Sequence, residues 1–64
     1  MLGYVCDYAL ISPAILAHRI EREFDVLVTW EDRDEDSFFL SVWEDDDTIW
    51  DAIDAVVEPY FFEE

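Results

Sequence analysis

An excess of acidic residues constrains this chain more than any other feature of its sequence. Eighteen Asp and Glu face three Arg and no Lys, so the formal net charge is -15 over 64 residues. A small domain needs a net charge of only about 2 to 8 for solubility, and charge beyond that opposes compaction by self-repulsion. The chain can therefore fold only if an apolar core outweighs the repulsion.

The composition indicates that such a core exists. Hydrophobic residues make up 53% of the chain and aromatic residues 17%, far above the content of disordered acidic tails. We expect residues 1–64 to form one compact acidic domain, near the lower size limit for folding without disulfides or metal. Cys6 is the single cysteine, which favours a reducing cytoplasm. The apolar start MLGYVCDYALI lacks the basic region of a signal peptide and is too short to span a bilayer.

Residues 13–24 carry the signals of a helix. Ser12 is a candidate N-cap, and Pro13 suits the first helical position. Leu16, Ile20 and Phe24 then recur every four residues, which places them on one face.

Two β-rich runs, DVLVTWE and SFFLSVWE, are joined by the polar segment DRDED, which predicts a β-hairpin. Alternate residues of a strand share a face, so the pattern also predicts two faces. One face carries Val26, Val28, Trp30, Phe38, Leu40 and Val42. The opposite face carries Leu27, Thr29, Phe39, Ser41 and Trp43. One of these two faces is expected to be the core.

A second helix is predicted after the acidic run EDDD, where the helix dipole favours negative charge. Pro59 is expected to end or bend this helix. Its candidate caps are Asp46, Asp47 and Thr48. Its predicted buried stripe consists of Ile49, Ile53, Val56 and Val57.

Residues 1–11 fit either a helix or a strand. Helical spacing relates Leu2, Val5, Cys6, Ala9 and Leu10, whereas strand alternation relates Tyr4, Cys6, Tyr8 and Leu10. We favour a strand lying against the second β-rich run, since an isolated hairpin is marginally stable. The predicted fold is then α+β, a small antiparallel sheet of two or three strands with two helices packed on one face, in the order β-α-β-β-α. The opposite sheet face is expected to meet water and to carry much of the charge.

Eleven of the eighteen acids lie within residues 31–54 and form the predicted partner-binding site. Carboxylates three or four residues apart on a helix are separated by about 4.5 to 6 Å along its axis, and alternate strand residues by about 6.6 Å. A DNA strand carries one charge per about 3.4 Å of axis, and winding separates neighbouring charges further. The site residues are Glu31, Asp32, Asp34, Glu35, Asp36, Glu44, Asp45, Asp46, Asp47, Asp51 and Asp54.

These acids favour a mimic of double-stranded DNA that blocks a basic DNA-binding protein or complex. Such a mimic releases counterions from the partner's Lys and Arg residues and associates under electrostatic steering. We expect a monomer that binds neither nucleic acid nor membrane directly, because the chain has no basic stripe. Exposed aromatic residues can add binding energy that DNA lacks. The candidates are Phe39, Trp43, Trp50, Tyr60, Phe61 and Phe62.

An enzymatic function, a cofactor and a metal site are not expected. Asp32, Asp34 and Asp36 have the spacing of a calcium loop, but no Gly occupies its sixth position and Trp43 stands where its last ligand belongs. The paired carboxylates lie in exposed runs where nothing separates their pKa values. We expect His18 at the surface and Cys6 in the core.

Two alternatives also explain the acids. One is an immunity or antitoxin protein that plugs a cationic nuclease. The other is adaptation to high salt, although a halophilic domain is expected to spread its acids more evenly along the chain. Gene neighbourhood and salt dependence separate these alternatives from a DNA mimic.

In size, charge and α/β make-up the chain resembles the small acidic inhibitors that phages and mobile elements encode against bacterial defence. These are the DNA-mimic anti-restriction proteins, the uracil-DNA glycosylase inhibitor and, above all, the small anti-CRISPR proteins of type I systems, type I-C among them. The resemblance implies that residues 31–54 occupy the DNA-binding channel of the Cascade complex, where its large subunit reads the protospacer-adjacent motif. It also implies a site of action in the cytoplasm of a bacterial host.

Overall fold

The computed structural model describes residues 1–63. The predicted α+β class and the element order β-α-β-β-α are confirmed. The elements are strand β1 (Leu2–Asp7), helix α1 (Pro13–Phe24), strand β2 (Leu27–Asp32), strand β3 (Ser37–Trp43), a 3-10 turn (Asp47–Ile49), helix α2 (Trp50–Val57) and a second 3-10 turn (Glu58–Tyr60).

Strand β3 lies in the centre of a three-stranded antiparallel sheet, with β1 and β2 on either side. Leu40 on β3 pairs with Tyr4 on β1 and with Trp30 on β2. Residues 2–7 therefore form a strand, as we favoured. The outer edge of β1 is partly covered by the C-terminal segment, where Phe61 bridges to Cys6 and the Phe62 N–H donates to the Val5 carbonyl at 2.9 Å.

The core lies between one face of the sheet and the two helices. Strand β3 contributes three side chains with no exposed surface, Phe38, Leu40 and Val42. Helix α1 packs mainly against β2, and α2 contacts β1. The other buried apolar residues are Tyr4, Cys6, Leu16, Ala17, Ile20, Val26, Val28, Ile53 and Val57.

The ends of the helices follow from local chemistry. Helix α1 begins at Pro13 after an extended Ser12, whose side chain makes no capping hydrogen bond. The residue that caps its C-terminal end is Asp25, which donates its N–H to the Glu21 carbonyl. Asp25 has a left-handed backbone with φ of 54°, a conformation that Asp tolerates better than most residues. At the other end of the molecule α2 stops at Val57, and a 3-10 turn containing Pro59 follows.

Two expectations about the sheet need correction. Trp30 is on the core face but is 43% exposed, because β2 is an edge strand and its indole packs edge-on against Phe38 beside an open groove. The opposite, open face does not carry much of the charge. Its strand residues are mostly apolar or small, and its only strand acids are Asp7 and Glu31.

Phe38 and Phe39 are neighbours on opposite faces of β3 and provide a matched test of this core. Phe38→Ala should lower the free energy of unfolding by about 3 to 5 kcal/mol, because it leaves a cavity in the centre of the core. Phe39→Ala removes the same atoms from the half-buried open face and should cost clearly less. Urea denaturation followed by circular dichroism measures both; equal losses would show that the two faces are buried alike.

Candidate functional site

Of the eleven predicted site residues, all but one form three groups in the fold, and the remaining one lies apart from them on a strand. The hairpin-end acids are Asp32, Asp34, Glu35 and Asp36. The helix-entry acids are Glu44, Asp45, Asp46 and Asp47. The α2 acids are Asp51 and Asp54. Glu31 stands alone on the open face of β2. All eleven are exposed except Glu44, which is half-buried.

The hairpin-end and helix-entry acids lie at opposite ends of β3, whose seven residues span roughly 20 Å. Helix α2 then returns along the molecule, since Phe61 pairs with Cys6 and Cys6 pairs with Phe38 near the hairpin. The α2 acids therefore lie on the return path between the two groups. The acids are therefore spread from one end of β3 to the other, in a molecule measuring 32 × 19 × 16 Å.

The hairpin-end acids are partly used to build the turn. One carboxylate oxygen of Asp34 accepts hydrogen bonds from the Asp36 N–H at 2.8 Å and from the Ser37 N–H and hydroxyl, both at 2.9 Å. Arg33 lies 3.3 Å from the other oxygen. These hydrogen bonds, with the nearby Arg33, lower the pKa of Asp34. Asp34 therefore stays ionised and closes the hairpin.

The helix-entry acids are also partly structural. The Asp46 side chain accepts hydrogen bonds from the Thr48 hydroxyl at 2.6 Å and from its N–H at 3.0 Å, which caps the 3-10 turn and lowers the pKa of Asp46. Glu44 accepts from the N–H groups of Asp45 and Asp46. Two of the four carboxylates thus organise the turn, whereas those of Asp45 and Asp47 point their charge to solvent.

On α2, Asp51 lies opposite the buried Ile53, whereas Asp54 lies beside the buried side of the helix. Asp51, Asp54 and Glu58 are all exposed, and their spacing of three and four residues places neighbours about 5 to 6 Å apart. Asp54 accepts a hydrogen bond of 2.5 Å from the hydroxyl of Tyr4. Burial, followed by this hydrogen bond, raises the pKa of Tyr4, so Tyr4 remains a neutral donor that ties α2 to β1.

Few of these charges are neutralised within the molecule. Among residues 1–63 the only ion pair within 4.0 Å joins Arg33 and Asp34. The other two arginines are on the exposed side of α1, where Arg19 and Arg22 line a shallow groove with His18. Arg19 there donates to the Tyr60 hydroxyl at 2.7 Å. Glu21 and Glu23 on the same helix balance these two arginines, so α1 is formally neutral and the remaining surface is strongly anionic.

The candidate aromatic contacts differ in exposure. Trp43 is 51% exposed and Phe61 37%. The indole N–H of Trp50 donates to the Glu44 carbonyl. The other four candidates, Phe39, Trp50, Tyr60 and Phe62, are half-buried. Trp43 is thus the most accessible of the six. Leu27, 60% exposed, was not among them, although strand alternation had placed it on the same face as Trp43.

The described residues do not point to catalysis by a metal or a thiol. No three His, Cys, Asp or Glu in this part of the chain are arranged to hold a metal ion. Cys6 is fully buried, and burial raises the pKa of its thiol to about 11, which keeps it protonated; its predicted place in the core is confirmed. His18 is exposed on α1, as predicted. None of the described helices is long and apolar enough to cross a membrane.

Comparisons with protein-family models, with curated proteins and with solved structures find no match to this chain. The arrangement of its own side chains is therefore the basis for a functional proposal.

Two substitutions of Asp46 separate its capping role from its charge. Asp46→Ala should lower the free energy of unfolding by about 1 kcal/mol, because the Thr48 N–H loses its acceptor. Asp46→Asn keeps a good capping side chain and removes one negative charge, so its stability should equal or exceed that of the parent. Urea denaturation near neutral pH measures the free energy of unfolding of both variants. Equal losses of stability in the two would mean that the charge itself stabilises the turn.

The salt dependence of folding tests whether the acids are an adaptation to high salt. At about 0.01 M salt the screening length is about 30 Å, close to the 32 Å length of the molecule, so the acids repel one another across it. We expect a folded domain even there, with a melting temperature that rises as salt screens the repulsion, by about 4 to 8 °C per kcal/mol. Circular dichroism melts in KCl measure this. A chain unfolded at low salt would instead support the halophilic interpretation.

Proposed function

We propose that this protein is a non-enzymatic inhibitor that imitates double-stranded DNA and blocks the DNA-binding site of a bacterial defence complex. Cascade of a type I CRISPR system, type I-C in particular, is the target that the resemblance in size and charge indicates. The observation that carries the proposal is the set of exposed, largely unpaired carboxylates at both ends of β3 and along α2. Its action in this role takes place in the cytoplasm of the bacterial host.

The dimensions support imitation of a short duplex. The hairpin-end and helix-entry acids lie at the two ends of the seven-residue strand β3, roughly 20 Å apart, which corresponds to about six base pairs at 3.4 Å per step. Carboxylates at the hairpin end, along α2 and at the helix entry can therefore occupy several phosphate subsites of one groove at once. Spacings of about 5 to 6 Å on α2 suit subsites that accept successive phosphates.

The protonation states support the proposal as well. Hydrogen bonds lower the pKa values of Asp34 and Asp46, which keeps both negatively charged at neutral and mildly acidic pH, as phosphates are. A general acid needs the opposite shift, because it must hold a proton near the working pH. The shifts of Asp34 and Asp46 are therefore opposite to the shift that acid catalysis requires.

Basic groups on α1 indicate which side faces away from the partner. Arg19 and Arg22 share the exposed side of that helix with Glu21 and Glu23, so α1 offers a cationic groove no net negative charge. In our proposal the helix-entry, hairpin-end and α2 acids meet the partner, and the exposed side of α1 faces solvent. Association is fast and weakens steeply with added salt, because the contacts replace counterions.

A pair of charge reversals with a matched control tests the proposal. Asp45→Lys with Asp47→Lys should weaken inhibition about 100-fold, or about 2.8 kcal/mol, while the Asp46 cap stays intact. Glu21→Lys with Glu23→Lys makes the same change in net charge on α1 and should have a much smaller effect. The readout is competition with a fluorescent DNA duplex for purified type I-C Cascade at several salt concentrations.

The same measurement on other proteins separates a DNA mimic from an immunity protein. At low salt a DNA mimic should displace duplex DNA from several unrelated DNA-binding proteins, including Cascade, because the shared feature is a phosphate-binding groove. An immunity protein should neutralise one cognate nuclease and leave the others unaffected. Equal inhibition by both double variants would mean that only total charge matters and that the helix-entry acids make no specific contact.

A further inference from the structure

The open face of the sheet carries an apolar patch that the acidic surface does not explain. Leu27 on β2 and Trp43 on β3 are direct cross-strand partners, so their side chains lie side by side, with Cβ atoms about 4.5 to 5.5 Å apart. They are 60% and 51% exposed. We call Leu27 and Trp43 the end patch, because they occupy the helix-entry end of the sheet.

The end patch is held in place before any partner arrives. The indole N–H of Trp43 donates to the hydroxyl of Thr29 at 2.9 Å, which fixes the ring across β2. Further along the face, Phe39 covers Gly3 so closely that a Cβ at Gly3 would lie 2.8 Å from its ring. Aromatic groups fixed in this way lose little conformational entropy on binding, which suits a binding hot spot.

Acids border the end patch. Trp43 lines a small groove with Met1, Glu44 and Asp45, and Glu31 extends from the same face of β2. An occupant of the patch therefore meets apolar surface in the centre and negative charge at the rim. A second copy of this chain, with a net charge of -15, would bring acids against acids.

We propose that the end patch is the hot spot of the interface, and that it receives a protein surface with an apolar side chain flanked by Lys or Arg. This inference rests on the proposed inhibitory function and adds to it, because DNA offers its binding proteins no comparable apolar side chain. The carboxylates then bind any phosphate-binding groove. The end patch adds specificity, because it favours grooves that have an apolar side chain beside them. Binding at the patch persists at salt concentrations that screen the charges.

Two peptide probes separate the patch from the charge. One is a short peptide of alternating Lys and Leu, and the other is an oligolysine of equal charge. In about 0.01 M salt both should shift the backbone amide resonances of Asp45 and Asp47. In about 1 M salt the screening length is about 3 Å, so only the Lys-Leu peptide should remain bound. It should then shift the backbone amide resonances of Leu27, Thr29 and Trp43.

Matched variants complete the test. The double variant Leu27→Ser with Trp43→Ser should lower the affinity for the Lys-Leu peptide at least about tenfold in high salt. It should leave oligolysine binding in low salt unchanged. The control variant, Leu10→Ser with Ile15→Ser, removes apolar side chains outside the end patch that are 54% and 57% exposed. It should change neither Lys-Leu binding in high salt nor oligolysine binding in low salt. Leu27→Ser alone, which keeps Trp43 and its hydrogen bond, should give an intermediate loss and serves if the double variant does not fold.

The possible failures have different meanings. Loss of Lys-Leu binding in high salt, or equal sensitivity to the Leu10 and Ile15 changes, would overturn the hot spot while leaving the charge-based proposal intact. Failure of oligolysine to shift the acids in low salt would contradict the proposed function instead. Self-association that depends on Leu27 and Trp43, measured by sedimentation, would assign the patch to a second copy of the chain and overturn the inference.

Discussion

The burial of β3 is the interaction on which the rest of this structure depends. Its core residues Phe38, Leu40 and Val42 have no exposed surface, and its backbone is paired on both edges. Fully burying a large apolar side chain contributes about 1.5 to 3 kcal/mol. In a chain with a net charge of -15, such burial must offset the mutual repulsion of the acids as well as conformational entropy. The dense apolar core is what permits the dense acidic surface.

The central position of β3 also decides where the charge goes. Acidic runs flank this strand in sequence, so a fully paired β3 places one run at each end of the sheet. Helix α2 then returns along the molecule and carries Asp51 and Asp54 between them. Helix α1, which carries two arginines, packs mainly against β2, whereas α2 contacts β1. The arginines therefore lie on the other side of the helical layer from α2. The result is a polarised molecule, although the sequence alone shows mainly a large net charge.

The acids differ in what they do for the fold. Asp34 closes the hairpin, Asp46 caps a helical turn, and Asp54 accepts the hydroxyl of Tyr4, so each has a local structural reason. Asp45, Asp47 and Asp51 are exposed and form no ion pair within residues 1–63. Asp47 and Asp51 lie in the first turns of the 3-10 segment and of α2, where the helix dipole favours a negative charge. In the function that we propose, a cationic partner stabilises this second set further.

Local patterns were sufficient for much of the fold. Pro13 and the spacing of Leu16, Ile20 and Phe24 predicted α1 with its observed bounds, and strand alternation assigned Phe38 and Phe39 to opposite faces of the sheet. The open face was predicted less well, because its expected charge came from composition and not from the residues on the strands. The exposure of Trp30 was also missed, since it depends on β2 being an edge strand.

The sequence by itself thus determined the helices, the alternation of the strands, the apolar core and the excess of negative charge, because these follow from propensities and spacings along a few residues. Only the tertiary structure decided the register of the three strands, the spread of the acids from one end of β3 to the other, and the meeting of Leu27 with Trp43 in an exposed patch. The physical reason is that strand order and register depend on contacts between residues far apart in the chain. No local pattern specifies which distant surface a side chain will meet.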